Sequence, residues 1–527
     1  MSESVPSQEE AFGFLADPAT HGLNAPIGRV DTAGAVVFLA GADVYKVKRA
    51  VTFPFMDLST LDKRREACEA EIAVNRDNAP GVYLAAAPIV RTSKGLAISG
   101  VGEVVEWVCH MRRFDENATL DRIAERGGLA DALVDKLAEA VRRAHARAPR
   151  RDGARAAGEL ETYIEQNAAA FARWPDLFPP ADARWLTRET LLAFAVARPT
   201  LLRRGRDGFV RRGHGDLHLS NITLIDGEPI LFDAVEFSDA IASGDVLYDL
   251  AFLLMDLEAR KLRRAANRVF NRYLAAEPPE ALAGLAALPL FMSLRAAIRA
   301  KVEAAAADRL EDEARARTRR LARSYFDLAQ GFLRYVAPRL TAIGGLSGSG
   351  KSALAEALAP RLGRAPGALW LRSDVERKAM FGVEATVRLD VDAYAPEVSR
   401  EVYRRLEDKA RRALNAGAAV VIDATFPTRL MRAAVGRVAA ETGVAFDGLF
   451  LDAPPAIRLA RVAGRRADAS DADEAVARRQ KAEPLGERGW AGIDASAGFE
   501  TTLARAAERL GLDRPPSARG SPDRSAG

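Results

Sequence analysis

Cysteine is almost missing from this chain of 527 residues. Its two copies, Cys68 and Cys109, lack metal-ligand spacing, so neither a zinc module nor a disulfide framework is expected, only two reduced core thiols. Long apolar runs are missing too. None approaches the roughly 20 residues that a membrane-spanning helix needs. The start, Met1-Ser2-Glu3-Ser4-Val5-Pro6, is acidic and has no apolar signal core. A cytoplasmic protein with no membrane partner is expected. Charge excess is the third absence: 76 Lys and Arg against 72 Asp and Glu leave a formal +4. Charges so evenly mixed do not make a basic face that tracks a phosphate backbone, so nucleic acid is not the expected partner. What is present, 48% hydrophobic and 28% charged residues, suits soluble domains with real cores, and the length calls for two or three of them.

The most informative run is Gly345-Leu346-Ser347-Gly348-Ser349-Gly350-Lys351-Ser352, which fits G-x-x-x-x-G-K-[ST]. An apolar run, Leu340 to Ile343, leads in, and the helix-prone Ala353 to Leu358 follows. Glycines let backbone N–H groups close around phosphate oxygens, and the helix N-terminus adds positive potential. Lys351 is expected at the β/γ-phosphates and Ser352 on Mg²⁺. The plain alternative is a Gly/Ser turn.

Around this loop the pattern is α/β, with short apolar strands alternating with helices. Leu369 to Asp374 reads as a strand ending in an acid. A helix spans about 397–415. Ala418 to Ile422 reads as a buried strand that places Asp423 at the Walker B position. A fourth run, Phe446 to Asp452, is expected to close the sheet before Pro454-Pro455. The next helix carries Arg458, Arg461, Arg465 and Arg466 and leads into a polar loop, Asp468 to Asp473. It reads either as a solvated face or as a lid bringing guanidinium charge to a transferring phosphoryl group. Arg478 and Arg479 are weaker candidates for the same role. From about 514 the Pro/Ser/Gly-rich tail is expected to be disordered.

Upstream, two strand-like runs, Ala35 to Ala40 and Val44 to Lys48, flank a Gly41 turn and read as a hairpin. Lys46 and Lys48 share one face because strand side chains alternate. A charged helix over about 61–78 offers Glu66, Glu69 and Glu71. A further strand pair is expected over 84–90 and 95–99; the run Val104 to Met111 then passes into Arg112-Arg113-Phe114, and mainly helix follows from about 118 to 205. Next comes Gly213-His214-Gly215-Asp216-Leu217-His218-Leu219-Ser220-Asn221, followed by Ile230-Leu231-Phe232-Asp233. This spacing fits the catalytic and metal-holding parts of kinase-type phosphoryl transfer: Asp216 for the acceptor hydroxyl's proton, Asn221 and Asp233 for Mg²⁺. A polar turn with His214 as a core residue is the structural alternative. Asp245 and Asp249 lie on one helix face. Asp249 reads as charge complementing the helix dipole, while Asp245 or Glu236 could contact a cationic substrate. The Arg/Glu-rich stretch Leu294 to Ala337 reads as one long solvated helix leading to Pro338.

His214 through Asn221 with Asp233 resembles the aminoglycoside phosphotransferase family of small-molecule kinases, relatives of protein kinases. The resemblance implies an α+β, protein-kinase-like bilobal domain over 1–337, with a small sheet-rich lobe at about 30–115 and a helical lobe at about 116–335. It implies that Lys46, or its rival Lys48, holds the α/β-phosphates, that Glu71 pairs with that lysine, and that Met111 to Phe114 form the hinge beside adenine. No G-x-G-x-x-G precedes the lysine strand. Asp374 and Arg377 resemble the base and substrate-orienting pair of polynucleotide-kinase-like and gluconate-kinase-like P-loop kinases, which implies an α/β P-loop domain over 338–513. The pairing resembles bacterial fusions of a phosphotransferase-like domain with an AAA-type ATP-binding domain. Together these imply an ATP- and Mg²⁺-dependent phosphotransferase acting on small-molecule hydroxyls at two sites. The alternatives are a ligand-sensing domain regulating a P-loop ATPase, or a nucleic-acid end kinase.

Overall fold

A computed structural model describes residues 8–53, 56–384, 386–464 and 469–512. By its contacts the chain divides into two compact units, one of 1–265 with 290–331, the other of 266–289 with the residues from 332 on. No single described helix is long and apolar enough to cross a membrane.

The first unit opens with a six-stranded antiparallel sheet, ordered Gly28–Asp31, Ala35–Ala40, Asp43–Lys48, Glu103–Arg112, Tyr83–Thr92, Gly95–Ile98. Gly28–Asp31 was not expected, because Val30 is its single large apolar residue and all four positions are exposed. Alternation decides what each face of the lysine strand meets. Tyr45 and Val47 join Phe12, Leu15, Phe38 and Val108 in one core. Val44 points the other way, with Lys46 and Lys48, into a core built on helix Leu61–Asn75. That helix starts at Thr60, whose hydroxyl accepts the Lys63 N–H at 3.3 Å, and it buries Arg64, Cys68, Glu71, Ile72 and Asn75 along one stripe. Both cysteines are free and buried.

The rest of this unit is mainly helical. The stretch read as one long helix is two, Leu288–Ala307 and Asp312–Leu333. Asp308 leaves the helix to accept the Trp174 indole N–H at 3.1 Å. The chain then folds back until the Ser293 hydroxyl donates to Ala329 O at 2.9 Å. The first of the pair is largely buried rather than solvated.

The second unit carries a parallel five-stranded sheet in the order Leu369–Arg372, Val420–Asp423, Arg339–Gly344, Ala445–Asp452, Trp490–Asp494. The run ending at Asp452 therefore does not close the sheet. Trp490–Asp494 lies outside it as the edge, a short strand whose apolar signal is diluted by its two exposed positions, Gly492 and Asp494. The opposite edge is covered by side chains from 266–289. Asn271 Oδ1 accepts the Trp370 N–H at 2.6 Å, and Asn267 donates to Ala368 O at 3.1 Å. Asn271→Ala strips a ladder amide of its acceptor and should cost about 1–3 kcal/mol. Urea unfolding of the second unit, with amide exchange at Trp370, measures this.

Candidate active sites

In the first unit Lys46 joins two carboxylates, with Nζ 2.8 Å from Glu71 Oε1 and 2.8 Å from Asp233 Oδ1. Lys48, one strand repeat on, pairs with Glu71 Oε2 at 2.5 Å and with Glu236. Glu71 is fully buried, whereas the Asp233 side chain is 45% exposed, so the Lys46 end is the one that opens to solvent. Burial pushes the Glu71 carboxyl up, but the two ammonium groups outweigh it and hold it below the usual carboxylate range. The helix bearing Glu71 is pinned on both sides. Arg64 donates to Glu106 at 2.9 Å, and Asn75 Oδ1 accepts the Ala234 N–H, next to Asp233, at 2.8 Å. Asp233 itself has φ +59° and donates its N–H to Tyr83 Oη at 3.0 Å.

The run Gly213–Asn221 forms a loop tied to the residue before Asp233, where Phe232 donates its N–H to Asn221 O at 3.0 Å. Asn221 Nδ2 donates to both Asp216 O and Asp216 Oδ2 at 3.0 Å, and His218 Nε2 lies 3.3 Å from Oδ2. Partial burial pushes the Asp216 carboxyl up, yet the His218 contact and nearby positive charge bring it down to about 2. Because Nδ2 of Asn221 is spent on Asp216, its Oδ1 is the atom left for a cation. Asp233 likewise keeps one oxygen that Lys46 does not take. This donor set fits Mg²⁺, which takes one or two protein oxygens and completes its shell with phosphate and water. Among the described residues no group of three or more His, Cys, Asp or Glu could hold a metal alone.

Three residues that the sequence reading did not credit hold the loop. Asp249 accepts the N–H groups of His214 (2.8 Å) and Gly215 (2.9 Å), and His145 Nε2 sits 3.1 Å away. It stands in the first turn of helix Val246–Ala259, as the dipole reading expected, but it is also buried and serves as an anchor. Arg295 is buried too, donating to Gly215 O at 3.1 Å while stacked on Tyr248. Its Arg/Glu-rich neighbourhood gave no sign of this. Asp245 and Glu236, open in sequence to a cationic substrate, are engaged by Arg204 at 2.6 Å and by Lys48. At the end of the stretch Met111 to Phe114, Phe114 packs on Phe232.

These depressed carboxyls carry a pH signature. A carboxylate held below its unfolded value stabilises the fold above that value and gives the contribution up as pH falls toward the folded one. From unfolded values of 4.5 for Glu71 and 3.8 for Asp216, the first unit should lose stability as pH falls from that range toward about 2. Glu71→Gln should flatten the fall, as read by urea midpoints across that range.

In the second unit the loop follows the central strand. Gly348 has φ +81° and no space for a side chain, since a Cβ would lie 2.2 Å from Arg458 O. Gly345 donates its N–H to Thr425 O at 3.2 Å. Lys351 and Ser352 open helix Lys351–Leu358. Asp423 ends the adjacent strand, buried, with Arg372 Nε at 3.6 Å. Burial lifts its carboxyl above the usual value, against the pull of Lys351, Arg372 and a Ser352 hydrogen bond. Its Oδ1 has no hydrogen-bond partner among the described residues. A buried, unpaired carboxylate oxygen beside the Ser352 hydroxyl is the observation that fits Mg²⁺ here.

Asp374 lies in the first turn of helix Ser373–Met380, half-buried, rather than at the strand's end. Arg377 is turned to Ala393 O (2.6 Å) and Ser399 Oγ (3.3 Å), and it lies over Tyr394. Tyr403 feels the charges of both Asp374 and Arg377. Its hydroxyl is 3.2 Å from Thr425 Oγ1 and accepts the N–H of Phe426, which has φ +46°. Nothing in the sequence singled Tyr403 out. Arg458 and Arg461 reach the P-loop backbone, at Ser347 O (3.4 Å) and Ser349 O (3.3 Å). The polar loop is tied down by Asp471, which accepts from Tyr394 at 2.6 Å and pairs with Lys378 at 3.0 Å. Arg465, Arg466 and the tail from 513 lie outside the described residues.

Two family models match the chain: a phosphotransferase enzyme family over residues 81–288 and an AAA domain over 340–484. The uncharacterized protein Rv2004c of Mycobacterium tuberculosis is 30% identical over 455 residues, 85% of this chain and 88% of that one. Among solved structures, a choline/ethanolamine kinase family protein from Mesorhizobium loti is 16% identical, covering 62% of this chain and 95% of its own, with a TM-score of 0.37. A gluconokinase from Sinorhizobium meliloti is 21% identical, covering 34% and 98%, with a TM-score of 0.24.

Proposed function

The chain belongs to the family, shared with the mycobacterial protein, that joins an aminoglycoside-phosphotransferase-like kinase domain to a P-loop kinase domain, and from that premise we propose a phosphotransferase with two nucleotide sites. Each site takes ATP with Mg²⁺ and passes the terminal phosphoryl group to a hydroxyl of a small molecule, in the cytoplasm. The observation that carries the reading is Lys46, paired at once with Glu71 and Asp233 while Asn221 holds Asp216 nearby. It leaves one ammonium for phosphate, two oxygens for a cation and one ionised carboxylate for the acceptor.

At the first site Lys46 holds the α/β-phosphates and Glu71 keeps that ammonium in place, with Lys48 reinforcing Glu71 from behind. Asn221 and Asp233 would hold Mg²⁺, whose charge would offset that of the phosphate. Asp216 orients the attacking hydroxyl and receives its proton. At the second site the amides around Gly348 and Gly350 cradle phosphate and Lys351 reaches its β/γ oxygens. Ser352 and Asp423 hold Mg²⁺, and Asp374 takes the acceptor's proton. Arg377 and Tyr403 shape the acceptor's place, and Arg461 braces the loop. Little covalent chemistry falls to the protein, so rate comes from placement and charge.

The test is a screen of a metabolite extract for ATP-dependent gain of a phosphoryl mass, run on wild type, Asp216→Asn and Lys351→Ala. Two products, each lost in a different variant, are expected. A phosphorylated product that survives both substitutions at full yield would sink the proposal.

A further inference from the structure

Gln480 follows helix Glu474–Arg479 and reaches into the phosphate loop, where its Oε1 accepts the Ser347 N–H at 2.8 Å. Its backbone is set by the helix end, with its own N–H donating to Val476 O at 3.1 Å. Arg458 fastens the same two segments, donating to Ser347 O and Ala477 O at 3.4 Å each. The missing side chain of Gly348 lets that clamp close directly on the loop. The approach of Gln480 to the loop is therefore over-determined.

The carboxamide has two ends, and one of them is decided. Ser347 offers a donor, so the oxygen must face it, and Nε2 with its two N–H bonds must face away. Nε2 has no protein acceptor among the described residues. Ser347 is the third residue of the motif, ahead of the amides and Lys351 that enclose the inner phosphates. A donor held there lies at the outer rim of the cradle, where a triphosphate projects farther than a diphosphate.

Resting on the P-loop reading above, we infer that Gln480 is the residue by which the second site tells ATP from ADP: Oε1 anchors on Ser347, and Nε2 donates to an oxygen of the terminal phosphoryl group. The donor half and the anchoring half can be separated by substitution. Gln480→Glu keeps an oxygen for the Ser347 N–H but has no N–H to offer and sets a negative charge toward phosphate. Gln480→Ala removes both.

The experiment is isothermal titration of the full chain with MgADP and with a non-hydrolysable ATP analogue plus Mg²⁺. Binding at the second site is identified as the component lost in Lys351→Ala. Both Gln480 variants should weaken the analogue by about tenfold, the worth of one charge-assisted hydrogen bond, with ADP changed by less than about twofold. Equal weakening of both nucleotides would make Gln480 a latch for the 474–480 segment and overturn the inference. Tighter binding of both would make it a plug displaced by nucleotide, which overturns it as well. If the wild type has no Lys351-dependent binding, the nucleotide reading of the loop fails first and this inference falls with it. A shift confined to the ATP/ADP ratio bears on Gln480 alone.

Discussion

Asp216→Asn should slow phosphoryl transfer at the first site by about 10²–10⁴-fold, the usual worth of a positioned proton acceptor. Asparagine keeps the size and one oxygen, so the bond from Asn221 Nδ2 to this side chain can persist. What is lost is the charge. The carboxyl sits near 2, so it is ionised throughout the neutral range, and its removal should act alike at pH 6 and pH 8. Lys351→Ala should leave that transfer intact and remove the other. Lys351 is 7% exposed and its charge lowers the Asp423 carboxyl. Truncation therefore withdraws the phosphate's partner and raises the proton affinity of the carboxylate expected to hold Mg²⁺. Nucleotide affinity at the second site should fall at least about tenfold, and more at pH 6 than at pH 8. Quantitative mass spectrometry of each product measures both. If one variant removes both products, the two-site model is wrong.

The parts of these sites that were legible in sequence are those whose chemistry is local. The phosphate loop announces itself because glycines with positive φ must stand at set offsets before a lysine. Asp423 is visible because a buried strand run ends in an acid. Asp216, Asn221 and Asp233 stand at a spacing that few other structures require. Strand alternation brought Lys46 and Lys48 to one face but could not choose between them, and both in fact reach Glu71. Their further contacts, of Lys46 with Asp233 and of Lys48 with Glu236, separate their positions.

What stayed hidden depends on tertiary placement. Arg295 belongs to an Arg/Glu-rich helix, where composition says solvent, yet the folding back at Asp308 buries it under the Gly215 carbonyl. Tyr403 matters because helix Pro396–Asn415 passes the end of the Asp423 strand, a proximity no local pattern encodes. Residues 266–289 lie amid the first unit's sequence but pack with the second, through two asparagines that cap an edge strand. Periodicity gives each helix's apolar face but not the partner that it covers.

Asp249→Ala is expected to be the most damaging single change in the first unit, for a reason that its sequence position conceals. Its carboxylate serves two main-chain N–H groups and His145, and Arg295 lies 3.9 Å away. All of these groups are buried, so none of the donors can turn to water once the acceptor is gone. Removing one partner of a buried, hydrogen-bonded charge network costs about 3–5 kcal/mol, against a total stability of roughly 5–15 kcal/mol for a domain. The first unit should therefore unfold at clearly lower urea, with amide exchange at His214 and Gly215 accelerating first. Catalysis should suffer more than nucleotide binding. The Gly213–Asp216 backbone loses the group that sets its height, and a misplacement of about 1 Å can cost about 10² in rate. The Lys46–Glu71–Asp233 cluster is held instead by Asn75 and Tyr83. Hence kcat should fall steeply while KM for ATP stays within a few-fold. Asp249→Asn separates charge from shape: one oxygen still accepts, but its amide N–H₂ confronts a main-chain donor. It should fall between wild type and alanine in both stability and kcat. A variant with unchanged stability and an ATP KM raised in step with the loss of rate would place Asp249 in nucleotide binding and refute its role as anchor of the Asp216 loop.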